Sequence, residues 1–189
     1  MKYIFDFDDV LFHNTAQFKK HMYSCLEKAG VPHGRPEEHY KEMRGNIFLP
    51  KKYISGLLIR EKIDKKAEDV YREMLSKTKN FLNIELLKTV KKLGKNNCYL
   101  ITQGDKKFHQ DKIKKSGVAP LFREVVIVPE RKKIAIERIC RKHKNEEVIF
   151  IDDRQKFFDE LDLKKCPNLK TILYTGQNLE SYFQYLSTT

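Results

Sequence analysis

The sequence predicts an α/β fold: a doubly wound parallel sheet with an inserted α-helical module. Three observations carry this expectation. Short apolar runs recur at residues 3–5, 98–101, 125–128, 148–151 and 171–174, and none alternates between apolar and polar, as befits strands covered on both faces. Helical patterns separate the later runs, and strand–helix alternation is the rhythm of a parallel sheet. The stretch between the first and second runs is far too long for a connecting loop and is helical in pattern throughout.

The first run, Tyr3-Ile4-Phe5, meets Asp6 at once and reads as a buried strand whose C-terminal end opens on a site. Residues 13–82 then form the inserted module. Phe18, Met22, Cys25 and Leu26 stand at helical spacing, and Gly30-Val31-Pro32 closes that helix. Further helices are expected over 35–43, 51–60 and 65–79. The core resumes with a helix over 83–94 and a strand at 98–101. A helix over 106–116 follows, closed by Gly117, where a left-handed cap suits glycine. After the strand at 125–128 comes a helix over 132–142, with Ile136, Ile139 and Cys140 on one side. A shorter helix is expected over 155–161, and a last one over 179–186. The domain division is therefore 1–12 with 83–189 for the core and 13–82 for the insertion.

Composition narrows the function classes. The chain has 189 residues, room for one sizeable core and an insertion of some tens of residues. With 40% apolar and 11% aromatic residues it is no disordered chain, despite 34% charge. No run approaches the roughly 18 apolar residues of a membrane helix, and the N-terminus turns acidic too early for a signal peptide. A cytoplasmic address and no membrane partner are expected. The four cysteines make no CxxC pair, so no zinc or redox motif is read. The net charge of +12 favours anionic partners in general. Nucleic acid is not favoured, because no basic motif is interleaved with aromatics.

The chemistry-bearing residues sit where strands end. The first strand runs into Asp6-Phe7-Asp8-Asp9, the second into Thr102-Gln103-Gly104-Asp105, and the fourth into Asp152-Asp153. Arg131-Lys132-Lys133 stands at the start of the helix after the third strand. In a parallel sheet these ends meet in one crevice. Clustered carboxylates repel and need neutralising, and an oxygen-rich acidic pocket is a hard-cation site that suits Mg²⁺ beside phosphate. The hydroxyl of Thr102, a backbone N–H and a lysine can hold phosphoryl oxygens. Lys132 is the preferred inward lysine because Ala135, Ile136, Ile139 and Cys140 follow it at +3, +4, +7 and +8. Lys133 stays open as the alternative. Asp9 reads as a turn residue, Arg154 as a rim residue, and His13 and His109 as ordinary side chains.

These motifs, in this order, resemble the haloacid dehalogenase (HAD) superfamily of phosphatases, whose core is Rossmann-like. The first motif, DxDx(T/V), reads Asp6-Phe7-Asp8-Asp9-Val10; the second ends an apolar strand at Thr102; the third is a lysine near a helix start; the fourth is the pair Asp152-Asp153. The resemblance implies Asp6 as nucleophile and Asp8 as general acid and base. It implies Mg²⁺ held by Asp6, the Asp8 carbonyl and Asp153, with Asp152 a further ligand or a support. Thr102 and the Gln103 N–H would bind phosphoryl oxygens, and Lys132 or Lys133 would hold Asp6 and the phosphate. Residues 13–82 match the family's helical (C1-type) cap. Arg44-Gly45-Asn46 resembles a specificity loop, with Arg44 a clamp for a second anionic group.

The function so implied is a Mg²⁺-dependent phosphatase acting on a small phosphorylated metabolite through an aspartyl-phosphate. A nucleotide or nucleic-acid end phosphatase, a phosphomutase and a phosphonate hydrolase stay open on the same motifs. A non-catalytic binding protein on this fold is the rival of a different class. The geometric requirement is plain: Asp6 and Asp153 must bring oxygens within roughly 6 Å, the span that ~2.1 Å ligand bonds can bridge.

Overall fold

The structure, a computed structural model, describes residues 1–43, 47–177, 179 and 183. Among them, strands β1 (Lys2–Phe5), β2 (Cys98–Gln103), β3 (Glu124–Val128), β4 (Val148–Asp152) and β5 (Leu169–Leu173) form one parallel sheet in the order β3-β2-β1-β4-β5. The chain starts in the middle, winds outward through β2 and β3, then returns to the other side of β1. The β1–β4 boundary is thus the switch point, where loops diverge and leave a crevice.

Strand residues divide between two cores. Phe5, Leu100, Ile149 and Ile151 face one apolar cluster, whereas Ile4, Tyr99, Ile101, Val148 and Phe150 face another. Both faces are dry at the central strands β1, β2 and β4, which is why these runs show no polar alternation, whereas the edge strand β5 departs from that expectation and exposes Lys170, Thr171 and Leu173. The second cluster is closed by Ala135, Ile136, Ile139 and Cys140 of α7 (Lys133–Lys142).

Helices α1 (Thr15–Lys28), α2 (Arg35–Glu42), α3 (Pro50–Arg60) and α4 (Ala67–Ser76) lie between β1 and β2 and pack on one another. Their apolar stripes join the first core through Phe18, Met22, Tyr53, Leu57, Met74 and Leu75. The expected helix over 65–79 is shorter: Ser76 ends α4, and Thr78–Phe81 turns as a 3-10 segment, with Thr78 Oγ1 donating to the Leu75 carbonyl. Asn83 then caps α5 (Ile84–Leu93) through Leu86 N–H. Helix α6 (Lys106–Ser116) ends at Gly117 in the left-handed region, as its sequence predicts. The helix expected over 155–161 shrinks to α8 (Lys156–Asp159), which holds only Phe157 in the core. The helix expected over 179–186 falls mostly outside the described residues, as does Arg44. No helix among the described residues is long and apolar enough to cross a membrane.

Candidate active site

Register places the acidic residues together. Phe5 pairs with Ile151, so Asp6 and Asp152 emerge side by side at the C-terminal edge of the two central strands. One oxygen from each of Asp6, Asp152 and Asp153 lies within 4.8 Å of the other two. Asp6 and Asp152 are buried; Asp153 is half-buried.

Lys132 stands at the N-cap of α7 and turns inward. Its ammonium, 2% exposed, lies 2.7 Å from Asp6 Oδ1 and 2.6 Å from Asp152 Oδ2, over the ring of Phe157. Lys133, one residue on, points elsewhere: its side chain is 33% exposed and nearest Glu137, at 3.9 Å. A turn of about 100° per helical residue separates the two directions. One buried cation therefore pairs with two carboxylates, and a third, Asp153, stands beside them. Burial pushes the Asp6 carboxyl up to about 7; Lys132 opposes this, while Asp152 and Asp8 add repulsion. Burial raises Asp153 too, with Arg154 pulling the other way. A charge deficit of this kind, lined by hard oxygen donors, is what a small divalent cation relieves.

Asp8 occupies a different environment two residues on. The chain folds back tightly after Asp6, with Phe12 N–H donating to the Phe7 carbonyl at 2.7 Å. Asp9 sits in this turn at φ 57° and accepts from Thr15 N–H and Thr15 Oγ1, which fits its reading as a turn residue. Asp8 points instead at α6. Lys112 donates a short hydrogen bond to Asp8 Oδ1, and His109 Nδ1 lies 3.8 Å from Oδ2. The Lys112 ammonium is itself enclosed by the rings of Phe7, Phe12 and Phe108, at 5.2, 4.7 and 4.9 Å. Burial works to raise the Asp8 carboxyl, but Lys112 and then His109 hold it below the usual carboxylate range.

Lys112 and the place of His109 escaped the sequence reading. The signal was periodicity: Phe108, Lys112 and Ile113 share the buried stripe of α6, and a lysine on an apolar stripe needs an anion opposite. His109, read as ordinary, is buried with Nδ1 3.2 Å from Thr102 Oγ1. Burial and Lys112 depress its pKa to about 4, so it is neutral at pH 7. Its ring covers Gly104, where a Cβ would meet Nε2 at 2.3 Å. Gly104, at φ +147°, is therefore the residue that admits the ring, for both conformation and space.

Thr102 and Gln103 close the floor at the end of β2. They line a cavity of about 480 Å³ with Asp6, Asp8, Lys132 and Asp153, roofed by residues of α1, α2 and the segment before α3. Lys133 is not among the lining residues, and Arg154 stands at the rim, 3.7 Å from Asp153. Such a floor combines a buried carboxylate, a buried cation, a hydroxyl and an acidic cluster of a size to hold a metal ion.

Comparison with known proteins gives the same lineage. A search of curated proteins finds no match. Solved structures share the fold. A protein of Burkholderia xenovorans LB400 assigned to the haloacid dehalogenase-like hydrolases aligns with a TM-score of 0.65 at 16% identity, over 95% of this chain and 84% of that one. The HAD family enzyme BT-2542 of Bacteroides thetaiotaomicron, a magnesium complex, gives 0.56 at 12% identity, over 97% and 98%. YfnB of Bacillus subtilis, a HAD-hydrolase assignment bound to magnesium, gives 0.55 at 15% identity, over 95% and 90%. A family model described as haloacid dehalogenase-like hydrolase matches residues 3–161, a span that runs from β1 past Asp153 and takes in the whole floor of the cavity. By that match, this chain belongs to the haloacid dehalogenase-like hydrolases.

Proposed function

We propose that the protein is a Mg²⁺-dependent phosphatase that hydrolyses a small phosphorylated metabolite through an aspartyl-phosphate on Asp6. The observation that carries this reading is the shared lysine: Lys132 reaches both Asp6 and Asp152 while Asp153 adds a third carboxylate to the same floor. Asp6, Asp153 and the Asp8 carbonyl would hold the ion, with Asp152 as a further ligand or a support. The magnesium complexes of BT-2542 and YfnB favour this choice of metal. Bound there, Mg²⁺ would neutralise the acidic excess and screen the approach of a carboxylate to a phosphate dianion.

The chain's own residues supply the rest. Asp6 forms a bond to phosphorus as the ester P–O bond breaks; Asp8, ionised beside Lys112 in the free protein, takes up a proton in the substrate complex, where the phosphate dianion opposes the pull of Lys112, and delivers it to the leaving oxygen. Asp8 then takes a proton from water as the water oxygen attacks phosphorus, which frees inorganic phosphate and restores Asp6. Thr102 Oγ1 and the Gln103 N–H bind the phosphoryl oxygens, and Lys132 offsets their charge. Residues 13–82 serve as the cap that roofs the cavity and excludes water. Arg44, outside the described residues, keeps its sequence-based role as an anion clamp in this proposal.

The test is hydrolysis of p-nitrophenyl phosphate by the purified chain. Activity should require Mg²⁺, disappear with EDTA and be lost in Asp6→Asn. Mg²⁺ should also raise the melting temperature, and Asp153→Asn should shrink that rise. A folded protein that gains no stability from Mg²⁺ and hydrolyses no phosphate ester overturns the reading.

A further inference from the structure

The cavity has a second half that phosphate chemistry does not use. Above the acidic floor, its wall is built by Phe18 and Met22 of α1, Tyr40 of α2, Phe48 before α3, and Phe108 of α6. The rings form a continuous surface: Tyr40 to Phe48 is 5.3 Å between centroids, Phe48 to Phe108 is 6.3 Å, and Phe18 to Phe108 is 6.5 Å. Tyr40 and Phe48 are only half-buried, so part of each ring faces the cavity.

Two of the polar side chains between floor and wall are engaged by their own neighbours. Thr15 Oγ1 donates to Asp9 at 2.6 Å, and Asp105 Oδ1 accepts Phe108 N–H at 2.8 Å. A polyhydroxylated sugar would find few partners there and would cover apolar rings with hydroxyls, which costs free energy. Lys19 and Lys156 both line the cavity with no carboxylate within 4 Å among the described residues, Lys156 over Phe157 at the floor and Lys19 at the wall. Lys19 is therefore the cation the wall offers, and it rests 4.9 Å above the Tyr40 ring. An ammonium beside an aromatic wall recognises an anion attached to a flat apolar group.

We infer that the cavity selects phosphate monoesters whose alcohol part carries a planar aromatic group with a second anionic substituent. The phosphate lies on the floor at Asp6, the ring lies against Tyr40, Phe48 and Phe108, and the second anion meets Lys19. The volume of about 480 Å³ suits such a molecule and leaves no room for a polymer chain. This inference rests on the phosphatase reading above.

The experiment compares three primary alkyl esters, so that leaving-group chemistry is matched: benzyl phosphate, 4-(phosphonooxymethyl)benzoate and glucose 6-phosphate, each with Mg²⁺. Benzyl phosphate should exceed glucose 6-phosphate in kcat/KM by about tenfold or more, as ring burial implies. The carboxylate should add a further factor of about three to five, the worth of a partly exposed ion pair. Lys19→Met should bring the ratio of the two aromatic esters close to one. Phe48→Leu, which keeps an apolar side chain but no ring, should narrow the aromatic advantage over the sugar ester. Turnover that favours glucose 6-phosphate, or ratios that neither variant moves, overturns the inference and leaves the phosphatase reading standing. Silence toward all three and toward p-nitrophenyl phosphate overturns the phosphatase reading and this inference with it.

Discussion

The cleft has two halves built from carboxylates and a lysine, one with acidic excess and one in balance. On one side Lys132 is divided between Asp6 and Asp152, with Asp153 beside them. On the other side Lys112 serves Asp8, and the neighbouring His109 is neutral at pH 7. Asp6 is pushed up to about 7 by burial and crowding, whereas Asp8 is held low despite its burial. Two aspartates two residues apart thus differ because of what faces them, not because of the strand that carries them. The half whose three carboxylates outnumber its one ammonium is the one suited to a divalent cation. The balanced half needs none, and its carboxylate is positioned by a lysine that aromatic rings hold in place.

Replacing Asp6 tests the comparison most severely. Asp6→Asn should lower turnover of p-nitrophenyl phosphate by at least about 10⁴-fold, as loss of a nucleophile does. The same change should stabilise the metal-free protein. The sign follows from the raised carboxyl: the folded state binds the proton more tightly than the unfolded one, so stability falls as pH climbs from about 4 to about 7. At pH 8 in EDTA the variant should gain roughly 2–4 kcal/mol, read from urea unfolding. A variant less stable than wild type under those conditions would mean that Asp6 is not under charge stress.

Lys112→Met breaks the other half. Methionine keeps the stem among Phe7, Phe12 and Phe108 but leaves Asp8 without its ammonium. We expect kcat for benzyl phosphate to fall by about 10- to 100-fold, because that alkoxide needs a well-placed proton donor. The loss on p-nitrophenyl phosphate, whose leaving group needs little help, should stay below about fivefold. Equal losses on both substrates would assign Lys112 to structure alone.

His109 separates charge from packing. Its pKa sits at about 4 in the fold against 6.5 for an ordinary imidazole, so the unfolded state binds more protons between those values. Stability due to neutral His109 is present above pH 6.5 and is lost as pH falls toward 4. Relative to His109→Gln, wild type should lose about 3 kcal/mol over that interval. Comparing the two proteins cancels the opposite drift from Asp6. Parallel pH curves would show that the imidazole titrates normally.

Much of this arrangement was legible beforehand, for reasons that are local. Fully apolar strands announce a sheet covered on both faces, and carboxylates placed at the ends of such strands announce a crevice. Gly117 marks the end of α6 because a left-handed cap favours glycine. What could not be read was which sequence-distant groups face one another. Lys112 pairs with a residue 104 positions away, so no spacing rule reaches it. The wall of the cavity is hidden in the same way, since Tyr40, Phe48 and Phe108 each satisfy their own helix or turn before they meet. The contraction of the helix after Lys65 to α4 reflects the 3-10 turn at Thr78, where side-chain bonding to the backbone competes with a further helical turn.

The smallest expected effect belongs to Lys133, and it sharpens the comparison because composition cannot distinguish this residue from its neighbour. Both are lysines at the start of α7, and both carry the same formal charge. Lys132 spends that charge 2.7 Å from Asp6 in a dry floor, where little water screens it. Lys133 spends it 3.9 Å from Glu137 on a partly exposed face, where water and salt screen it and such pairs contribute roughly 0–1 kcal/mol. Lys132→Met should therefore lower kcat/KM by about 100-fold or more, while Lys133→Met should change it by less than about twofold and leave the salt dependence of KM untouched. If Lys133→Met produced the larger loss, the direction in which α7 presents its first residues would have to differ from the one described, and the division of one cation between two carboxylates would go with it.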